Sequence, residues 1–435
     1  MMMRNYRSTP QILRAVNALI GKNAHRIKKD LIPVLPEGGP VVFHHAVSAE
    51  KEAAWIADRI EALVQQGVPY RDIAILYRAH YVTRTLEEVF LKRELPYTIY
   101  SGAQFFDRRE IKDALSYLRM IAYRDDLSFQ RIANVPKRNL GEKRMRFLKS
   151  YAEQNGCSLY EALQRSIEDS LFNTAPVKKF IRLIETFAAD YAGKPVSEVL
   201  SALLNQSGYE EMLRTEGSQE RLDNLAELKQ SVYEYENSCG EECTLEDYLS
   251  HVALFSNSDT AERRNAVKLM TVHTAKGLEF PYVFLCSLCE GVFPSTKTKT
   301  MPAMEEERRL AFVAMTRAEK GLCLSDNEGR NVDGSSRVPS RFIFDIDRPL
   351  LEYTAELQDS LVKEAKDHIR FMEQQLAALA QGPSFAAGDR VAHAIFGEGT
   401  IEEIDPEAAV YTIRFDDIPT PRRISFRVPL RKCGG

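Results

Sequence analysis

The stretch VKLMTVHTAKGLEFPYVFLCSL, residues 267–288, decides the fold of this protein. It holds two short apolar runs, 267–272 and 282–288, joined by a polar loop. Runs of this length and composition are typical of buried strands. A helical pattern over 305–318 and a third apolar run at 321–326 follow. This alternation predicts an α/β protein with a mostly parallel sheet covered by helices.

The same alternation occurs earlier in the chain. Strand-like runs lie at 41–46, 72–77 and 97–100, with helical patterns between them. Residues 114–264 show almost wholly helical periodicity, broken by glycine and proline. An all-helical insertion within an α/β domain is the simplest topology that fits.

The C-terminal part has a different pattern. A polar, charge-rich helical stretch at 350–379 is followed by short strands with turn signals from residue 385 onward, which predict a small β-barrel. The predicted domains are an α/β domain over 1–113 and 265–347, a helical insertion over 114–264, a helical linker over 348–383 and a barrel over 384–435.

Composition narrows the class of protein. The chain has 435 residues, 44% of them hydrophobic and 28% charged, with a formal net charge of −4. Any contact with nucleic acid must therefore depend on local basic patches. Seven unevenly spaced cysteines predict no disulfide framework and favour the reducing cytoplasm. The apolar runs are far shorter than the roughly 20 residues that span a membrane, so no membrane association is expected.

Two cysteine pairs could be interpreted as a metal site: Cys239 with Cys243, and Cys286 with Cys289. The second pair lies in a predicted strand, where positions i and i+3 point to opposite faces. The sequence therefore predicts no metal site in this chain.

Arg317 has an unusual position on the helix predicted at 305–318. Leu310, Val313 and Ala314 form an apolar stripe, and Arg317 follows on that stripe. A guanidinium at the edge of a core needs an anion, such as a ligand phosphate. Alternatively, Arg317 extends into solvent or pairs with a carboxylate of 305–307.

Two further segments carry polar side chains suited to a ligand. The loop after the strand at 267–272 holds Thr271, His273, Lys276 and Glu279, and loops at the carboxyl ends of parallel strands often bind ligands. An ordinary solvated connection would have the same composition. Near the N-terminus, Tyr6 and Arg7 precede Ser8-Thr9-Pro10, a helix-start signature with Ser8 or Thr9 as N-cap. The aromatic ring could stack on a base while the arginine binds a phosphate. Equally, the ring could pack in the core while the arginine faces solvent.

Three segments in chain order resemble motifs IV, V and VI of the UvrD/PcrA/Rep-type superfamily 1 DNA helicases: NYRSTPQI at 5–12, VKLMTVHTAKGLEFPYVFLCSLCEGVFPS at 267–295 and EEERRLAFVAMTRAEKGL at 305–322. The segment 72–121 is similar to the same family. The resemblance extends from residue 5 to about residue 346. It implies the second of two RecA-like motor domains of a 3′–5′ DNA helicase used in repair.

The resemblance also implies roles for matching residues. Tyr6 would stack on the adenine of ATP, Arg7 and Arg317 would contact the γ-phosphate, and Glu279 would touch the ribose. Arg317 would act as an arginine finger. Thr271, His273 and Lys276 would face the backbone of single-stranded DNA.

The sequence departs from the family in one important respect. Members carry a Walker A loop and a Walker B acidic pair on a first RecA-like domain, and this sequence has neither. FIFDID at 342–347 looks like a Walker B strand only loosely and follows motif VI. The Mg²⁺ ligands are therefore expected on the missing first domain, in cis or in trans, and we predict that this chain alone does not hydrolyse ATP. A non-catalytic remnant that binds DNA or protein is the alternative.

The insertion contains a basic segment, NVPKRNLGEKRMRFLK at 134–149. Its cations are Lys137, Arg138, Lys143, Arg144, Arg146 and Lys149. The turn resembles the Gly-Ile-Gly type with which the family grips duplex DNA, with Asn139 in place of the first glycine; asparagine tolerates a left-handed conformation. The segment therefore predicts contact with a duplex junction, against the alternative of a solvated basic face.

The terminal barrel resembles the Tudor-like module of PcrA-type members. That resemblance implies a protein-interaction domain, with RNA polymerase as the partner. The basic residues of the barrel could instead contact nucleic acid. These are Arg422, Arg423, Arg427, Arg431 and Lys432.

Overall fold

The structure is a computed structural model. It describes residues 4–25, 30–100, 102–239, 243–256, 265–331, 335–380, 385–393, 395–405, 410–426, 428 and 430–433. The strands of these residues are β1 Arg4–Asn5, β2 Ile32–Pro33, β3 Val41–Ala46, β4 Ile73–Tyr77, β5 Tyr97–Ile99, β6 Val267–Thr271, β7 Phe280–Leu285, β8 Ala318–Asn327, β9 Leu351–Tyr353, β10 Arg390–His393, β11 Gly397–Asp405, β12 Val410–Phe415, β13 Arg422–Ser425 and β14 Leu430–Lys432.

The helices are α1 Pro10–Gly21, α2 Ala49–Gln65, α3 Thr83–Lys92, α4 Arg109–Ala122, α5 Asp126–Ile132, α6 Glu142–Asn155, α7 Leu159–Arg165, α8 Ala175–Asp190, α9 Val196–Gln206, α10 Tyr209–Thr215, α11 Gln219–Cys239, α12 Leu245–Ser256, α13 Met301–Met315, α14 Arg341–Asp345 and α15 Asp359–Ala380. Among the described residues, no helix is both long and apolar enough to cross a membrane.

The chain divides into two compact units. The first comprises Met1–Glu52, Ala275–Asn331 and Ser336–Gly435, and the second comprises Ala53–Thr274 and Val332–Ser335.

In the first unit, four parallel strands follow the order β7-β8-β3-β9. β3 begins with the buried run Val41, Val42 and Phe43, as expected for a parallel strand covered on both faces. Helix α1 packs against α13, each with an apolar face. The predicted α/β class with parallel strands is confirmed.

In the second unit, three parallel strands follow the order β5-β6-β4, and every residue of β4 is buried. Between β5 and β6 the described residues form helices α4–α12 and a short 3-10 turn at Phe105–Asp107. Helix α4 lies at the centre of these helices and packs against α5, α8, α9 and α11. Ten of its 14 residues are buried, which agrees with a mainly internal helix.

The C-terminal strands form a five-stranded antiparallel sheet of order β13-β12-β11-β10-β14. Its core is a cluster of six buried side chains: Val391, Ile401, Tyr411, Ile413, Phe415 and Ile424. Gly399 permits a close approach of β11 to β12, because a Cβ there would lie 2.6 Å from the carbonyl oxygen of Arg414. This sheet fits the predicted small barrel.

The structure differs from the sequence-based expectation after residue 347. The helical pattern was expected from 350, but Leu351–Tyr353 forms β9, which pairs in parallel with β3, and α15 begins only at Asp359. Pro349 lies just before the strand, the buried Leu351 anchors it, and the ring of Tyr353 packs edge-on against Phe43 at 4.9 Å. The segment FIFDID lies largely in helix α14 and is therefore not a Walker B strand. Residues 264 and 384, at two predicted domain boundaries, lie outside the described residues.

Candidate functional site

The turn before α1 is fixed to the start of β8. The side-chain Oδ1 of Asn5 accepts hydrogen bonds from the backbone N–H groups of Arg7 and Ser8, both at 2.9 Å. The Ser8 hydroxyl donates to the carbonyl oxygen of Ala318 at 2.6 Å. Thr9 occupies the N-cap position, although its hydroxyl makes no capping hydrogen bond. The Tyr6 side chain between these anchors is 62% exposed.

Arg7 forms an exposed ion pair with Glu279. Arg7 Nε lies 2.5 Å from Glu279 Oε2, with the side chains 34% and 52% exposed. An ion pair so open to solvent contributes only about 0–1 kcal/mol. Arg7 can therefore exchange this carboxylate for another anion at small cost.

Arg317 lies just beyond helix α13 and is partly buried. Its Nε donates to the carbonyl oxygen of Val313 and its Nη1 to that of Leu278, both at 3.0 Å. Its Nη2 donates to the Thr316 hydroxyl at 3.2 Å. The guanidinium is thus held by neutral acceptors and keeps its positive charge available.

The acidic residues considered as alternative partners of Arg317 have other contacts. Glu305 accepts from the backbone N–H groups of Ala24 and His25, at 2.8 and 3.1 Å. Glu306 pairs with Arg309 at 2.8 Å, and Glu307 accepts from the backbone of Ser295.

Arg7, Arg317 and Glu279 influence one another within the first unit. Burial lowers the pKa of Arg317, the positive charge of Arg7 lowers it further, and Glu279 opposes both. Two guanidinium groups and one carboxylate leave a net positive charge. The arrangement suits a polyanion, because a phosphate would relieve the repulsion between the two arginines.

Gly277 shapes the chain before Glu279. It has φ +91°, a left-handed conformation that side chains rarely adopt. The N–H of Leu278 closes the turn on the carbonyl oxygen of Ala275 at 3.1 Å, and Lys276 is exposed beside it. The turn therefore places the Leu278 carbonyl, which accepts from Arg317, directly before Glu279.

Thr271 and His273 belong to the second unit. Thr271 is 8% exposed, and its Oγ1 lies 2.9 Å from Oγ1 of Thr274 and accepts from the Thr274 N–H at 3.2 Å. His273 is exposed. The Thr271 hydroxyl thus closes a turn, while the imidazole is open to solvent.

The basic turn of the insertion is built around Asn134. Its Oδ1 accepts from the backbone N–H groups of Arg138 and Leu140, at 2.8 and 3.1 Å. Asn139, between them, has φ +63°, the left-handed conformation that the sequence allowed. Gly141 then caps the 14-residue helix α6 with no side-chain hydrogen bond.

Arg138 is an internal residue, unlike its neighbours. It is 7% exposed and donates to the carbonyl oxygens of Ile132 and Val135 and to the Tyr117 hydroxyl, at 2.8, 3.1 and 2.6 Å. It also lies over the ring of Phe180. Its buried guanidinium holds the turn in place through these hydrogen bonds. Arg138 is therefore not positioned to contact DNA, in contrast to the expectation from the sequence.

The remaining cations lie just before α6 and along roughly its first half. Lys137, Lys143, Arg146 and Lys149 are exposed, and Arg144 donates to the carbonyl oxygen of Asn139. An open cavity of about 510 Å³ lies here, lined in part by Lys137, Lys143 and Arg144. Helix N-termini attract anions, and the lysines add to that field.

Sequence reasoning missed three residues that shape these sites. They are Asn5, Asn134 and Thr316. Asparagine and threonine in a turn signal local hydrogen bonding to the backbone, but the signal does not show which side chain is thereby positioned.

Comparison with known proteins gives a consistent result. The model of the family described as UvrD-like helicase C-terminal domain matches residues 1–329. The chain is 37% identical over 417 residues to the ATP-dependent DNA helicase PcrA of Staphylococcus epidermidis strain RP62A, covering 92% of this chain and 57% of that protein. It is 37% identical over 419 residues to PcrA of Staphylococcus aureus strain Mu50, with the same coverage. The chain thus spans little more than half the length of these curated relatives.

A solved structure, the C-terminal domain of a possible DNA helicase from Lactobacillus plantarum WCFS1, matches with a TM-score of 0.33 and 11% identity. The match covers 81% of this chain and 99% of that one.

Proposed function

Since the chain belongs to the UvrD-like helicase C-terminal domain family, we propose that it is the second-motor half of a cytoplasmic, ATP-dependent 3′–5′ DNA helicase of the UvrD/PcrA type that acts in repair. In this proposal it supplies motifs IV, V and VI and works with a first RecA-like domain, in cis or in trans.

One observation carries the proposal: in the first unit, Arg7 pairs with Glu279, and Arg317 donates to the carbonyl oxygen of Leu278, the residue directly before Glu279. Arg317 would be an arginine finger and Arg7 a second γ-phosphate ligand. Glu279 would accept from the ribose, and the exposed Tyr6 ring would stack on adenine. ATP with Mg²⁺ would supply the transferable phosphoryl group, with the Mg²⁺ ligands on the first domain.

The proposed track for single-stranded DNA uses residues around motif V. Lys276 is an exposed cation and His273 an exposed imidazole, both suited to backbone phosphates. Thr271 would act mainly by shaping its turn, since its hydroxyl already contacts Thr274.

The proposed duplex contact is the start of α6. Lys137, Lys143, Arg144 and Arg146 would approach phosphates together with the backbone amides after Gly141. Contacts with phosphates carry no sequence information, so binding would be independent of the DNA sequence.

For the terminal barrel we propose a protein partner, with RNA polymerase the one implied by the family resemblance. Arg423 and Lys432 each pair with a carboxylate, Asp405 and Asp389, at 3.0 Å. Each of these two cations has a carboxylate beside it, so the surface around them is less positive than the basic residues alone imply. Arg427 lies outside the described residues.

The test is complementation. A first RecA-like domain from a relative, added in trans, should restore ATPase activity stimulated by single-stranded DNA, and Arg317→Ala should abolish it. Arg14→Ala, which removes a different arginine of the same unit, one that pairs with Glu37, is the control. DNA binding without any restored turnover would favour the rival function, a non-catalytic remnant.

A further inference from the structure

The residue before Arg317 makes a contact that sequence reasoning did not assign. Thr316 is 4% exposed and follows the last residue of α13. Its hydroxyl donates to the carbonyl oxygen of Val313 at 2.9 Å and accepts from Arg317 Nη2 at 3.2 Å. A hydroxyl has one donor and two acceptor sites, so both bonds form together.

The hydroxyl completes a three-point support of Arg317. Nε and Nη1 donate to the carbonyl oxygens of Val313 and Leu278, so three different nitrogens of the guanidinium each have an acceptor. Three points determine the plane of the group. Of its five N–H groups, two remain for an anion in a fixed direction.

Thr316 is the one side-chain group among these acceptors. The carbonyl oxygens of Val313 and Leu278 are set by the backbone. Without the hydroxyl, repulsion from Arg7 and the cost of burial would favour rotation of the guanidinium toward solvent. A preorganised cation avoids that rearrangement at the moment of reaction.

We propose that Thr316 is a positioning residue for Arg317. The buried hydroxyl of Thr316 fixes the plane in which the guanidinium of Arg317 meets the phosphates of a nucleotide. The proposal rests on the proposed function of Arg317 as an arginine finger.

The first test uses the complemented enzyme. Thr316→Val keeps the shape of the side chain and removes the hydroxyl, whereas Thr316→Ser keeps the hydroxyl. We expect kcat to fall roughly tenfold in the valine variant, with KM for ATP changed less than about twofold, because misorientation acts mainly on the transition state. The serine variant should retain kcat near that of the unsubstituted chain.

The second test uses this chain alone. Modification of Arg317 by phenylglyoxal, followed by peptide mass spectrometry, should be faster in Thr316→Val than in Thr316→Ser or the unsubstituted chain. Modification of Arg14 should be equal in all three. If the valine variant does not fold, Thr316→Ala provides the same comparison.

The outcomes distinguish a failure of the positioning role of Thr316 from a failure of the proposed function of Arg317. Unchanged kcat and unchanged Arg317 modification in the valine variant would overturn the positioning role. Faster modification of Arg317 in that variant, with a complemented enzyme that tolerates Arg317→Ala, would leave the positioning role standing and overturn the proposed function.

Discussion

His45 and Asp326 are register partners on the adjacent parallel strands β3 and β8, and His45 Nδ1 lies 2.9 Å from Asp326 Oδ1. The other ring nitrogen of His45 lies 3.2 Å from Oε1 of Glu328. Asp326 is fully buried, and its Oδ2 has no hydrogen-bond partner among the described residues. Burial raises the pKa of Asp326 to about 6. Burial lowers the pKa of His45, but hydrogen bonds and charge from Asp326 and Glu328 outweigh it and raise the pKa overall.

This pair predicts a loss of stability as pH rises. Asp326 holds its proton up to pH about 6 when folded, against an ordinary pKa of 3.8, so its contribution falls between pH about 4 and 6. The raised pKa of His45 adds a contribution that is full below 6.5 and lost as pH rises through the folded value. Urea unfolding at pH 4 and pH 7 should show a smaller decline in Asp326→Asn than in the unsubstituted chain. An equal decline in both would contradict the assignment.

Glu279 should matter for nucleotide use and little for stability. Because its ion pair with Arg7 is exposed, Glu279→Ala should change the free energy of unfolding by less than about 1 kcal/mol. In the complemented enzyme it should raise KM for ATP, through loss of the ribose contact. Glu37→Ala, which breaks the exposed Arg14–Glu37 pair, is the control and should leave KM unchanged. Equal KM values in the two variants would exclude a role for Glu279 in binding.

The exposed lysines at the start of α6 should control the salt dependence of DNA binding. Removing one phosphate contact lowers the magnitude of the negative slope of log K against log salt by about 1. We expect this change for Lys137→Ala and for Lys143→Ala on forked DNA, measured by fluorescence anisotropy. Lys194→Ala, an exposed lysine of the same unit paired with Asp190, should keep the original slope. A slope that none of these substitutions alters would place the duplex elsewhere.

Arg138 should behave differently from these lysines. Its loss removes buried hydrogen bonds of the guanidinium to the Tyr117 hydroxyl and the Ile132 carbonyl, and also the contact with the Phe180 ring, although Val135 still bonds both of those oxygens. Arg138→Ala should therefore destabilise the folded chain by about 2–4 kcal/mol, measured by urea unfolding. Its salt slope on forked DNA, measured where the variant is folded, should match that of the unsubstituted chain. A stable variant with a reduced slope would return Arg138 to the DNA surface.

The strands predicted from the sequence correspond to runs of four or more strand-forming residues, including the run at 97–100 that forms the three-residue β5. β4 is a fully buried apolar run of five residues, and β3 and β8 each contain a shorter apolar run, Val41–Phe43 and Leu322–Leu324. β1, β2 and β9 have only two or three residues each and show no period. Their pairing depends on distant partners, as β9 depends on β3.

The candidate site also has some features that the sequence predicts and others that only the fold reveals. Periodicity placed Arg317 at the edge of a core, but only the fold brings the Leu278 carbonyl to it. A run of cations cannot show that Arg138 turns inward, because this depends on acceptors as distant in sequence as the Ser207 carbonyl.

β8 begins immediately after Arg317 and carries Asp326 near its far end. Nine residues of strand at about 3.3 Å each separate the two positions by about 30 Å. At an effective dielectric constant of about 20, two unit charges about 30 Å apart interact by only about 0.5 kcal/mol. Proton uptake by His45 and Asp326 should therefore have little effect on the charge of Arg317. The length of β8 keeps the two charged groups electrostatically independent.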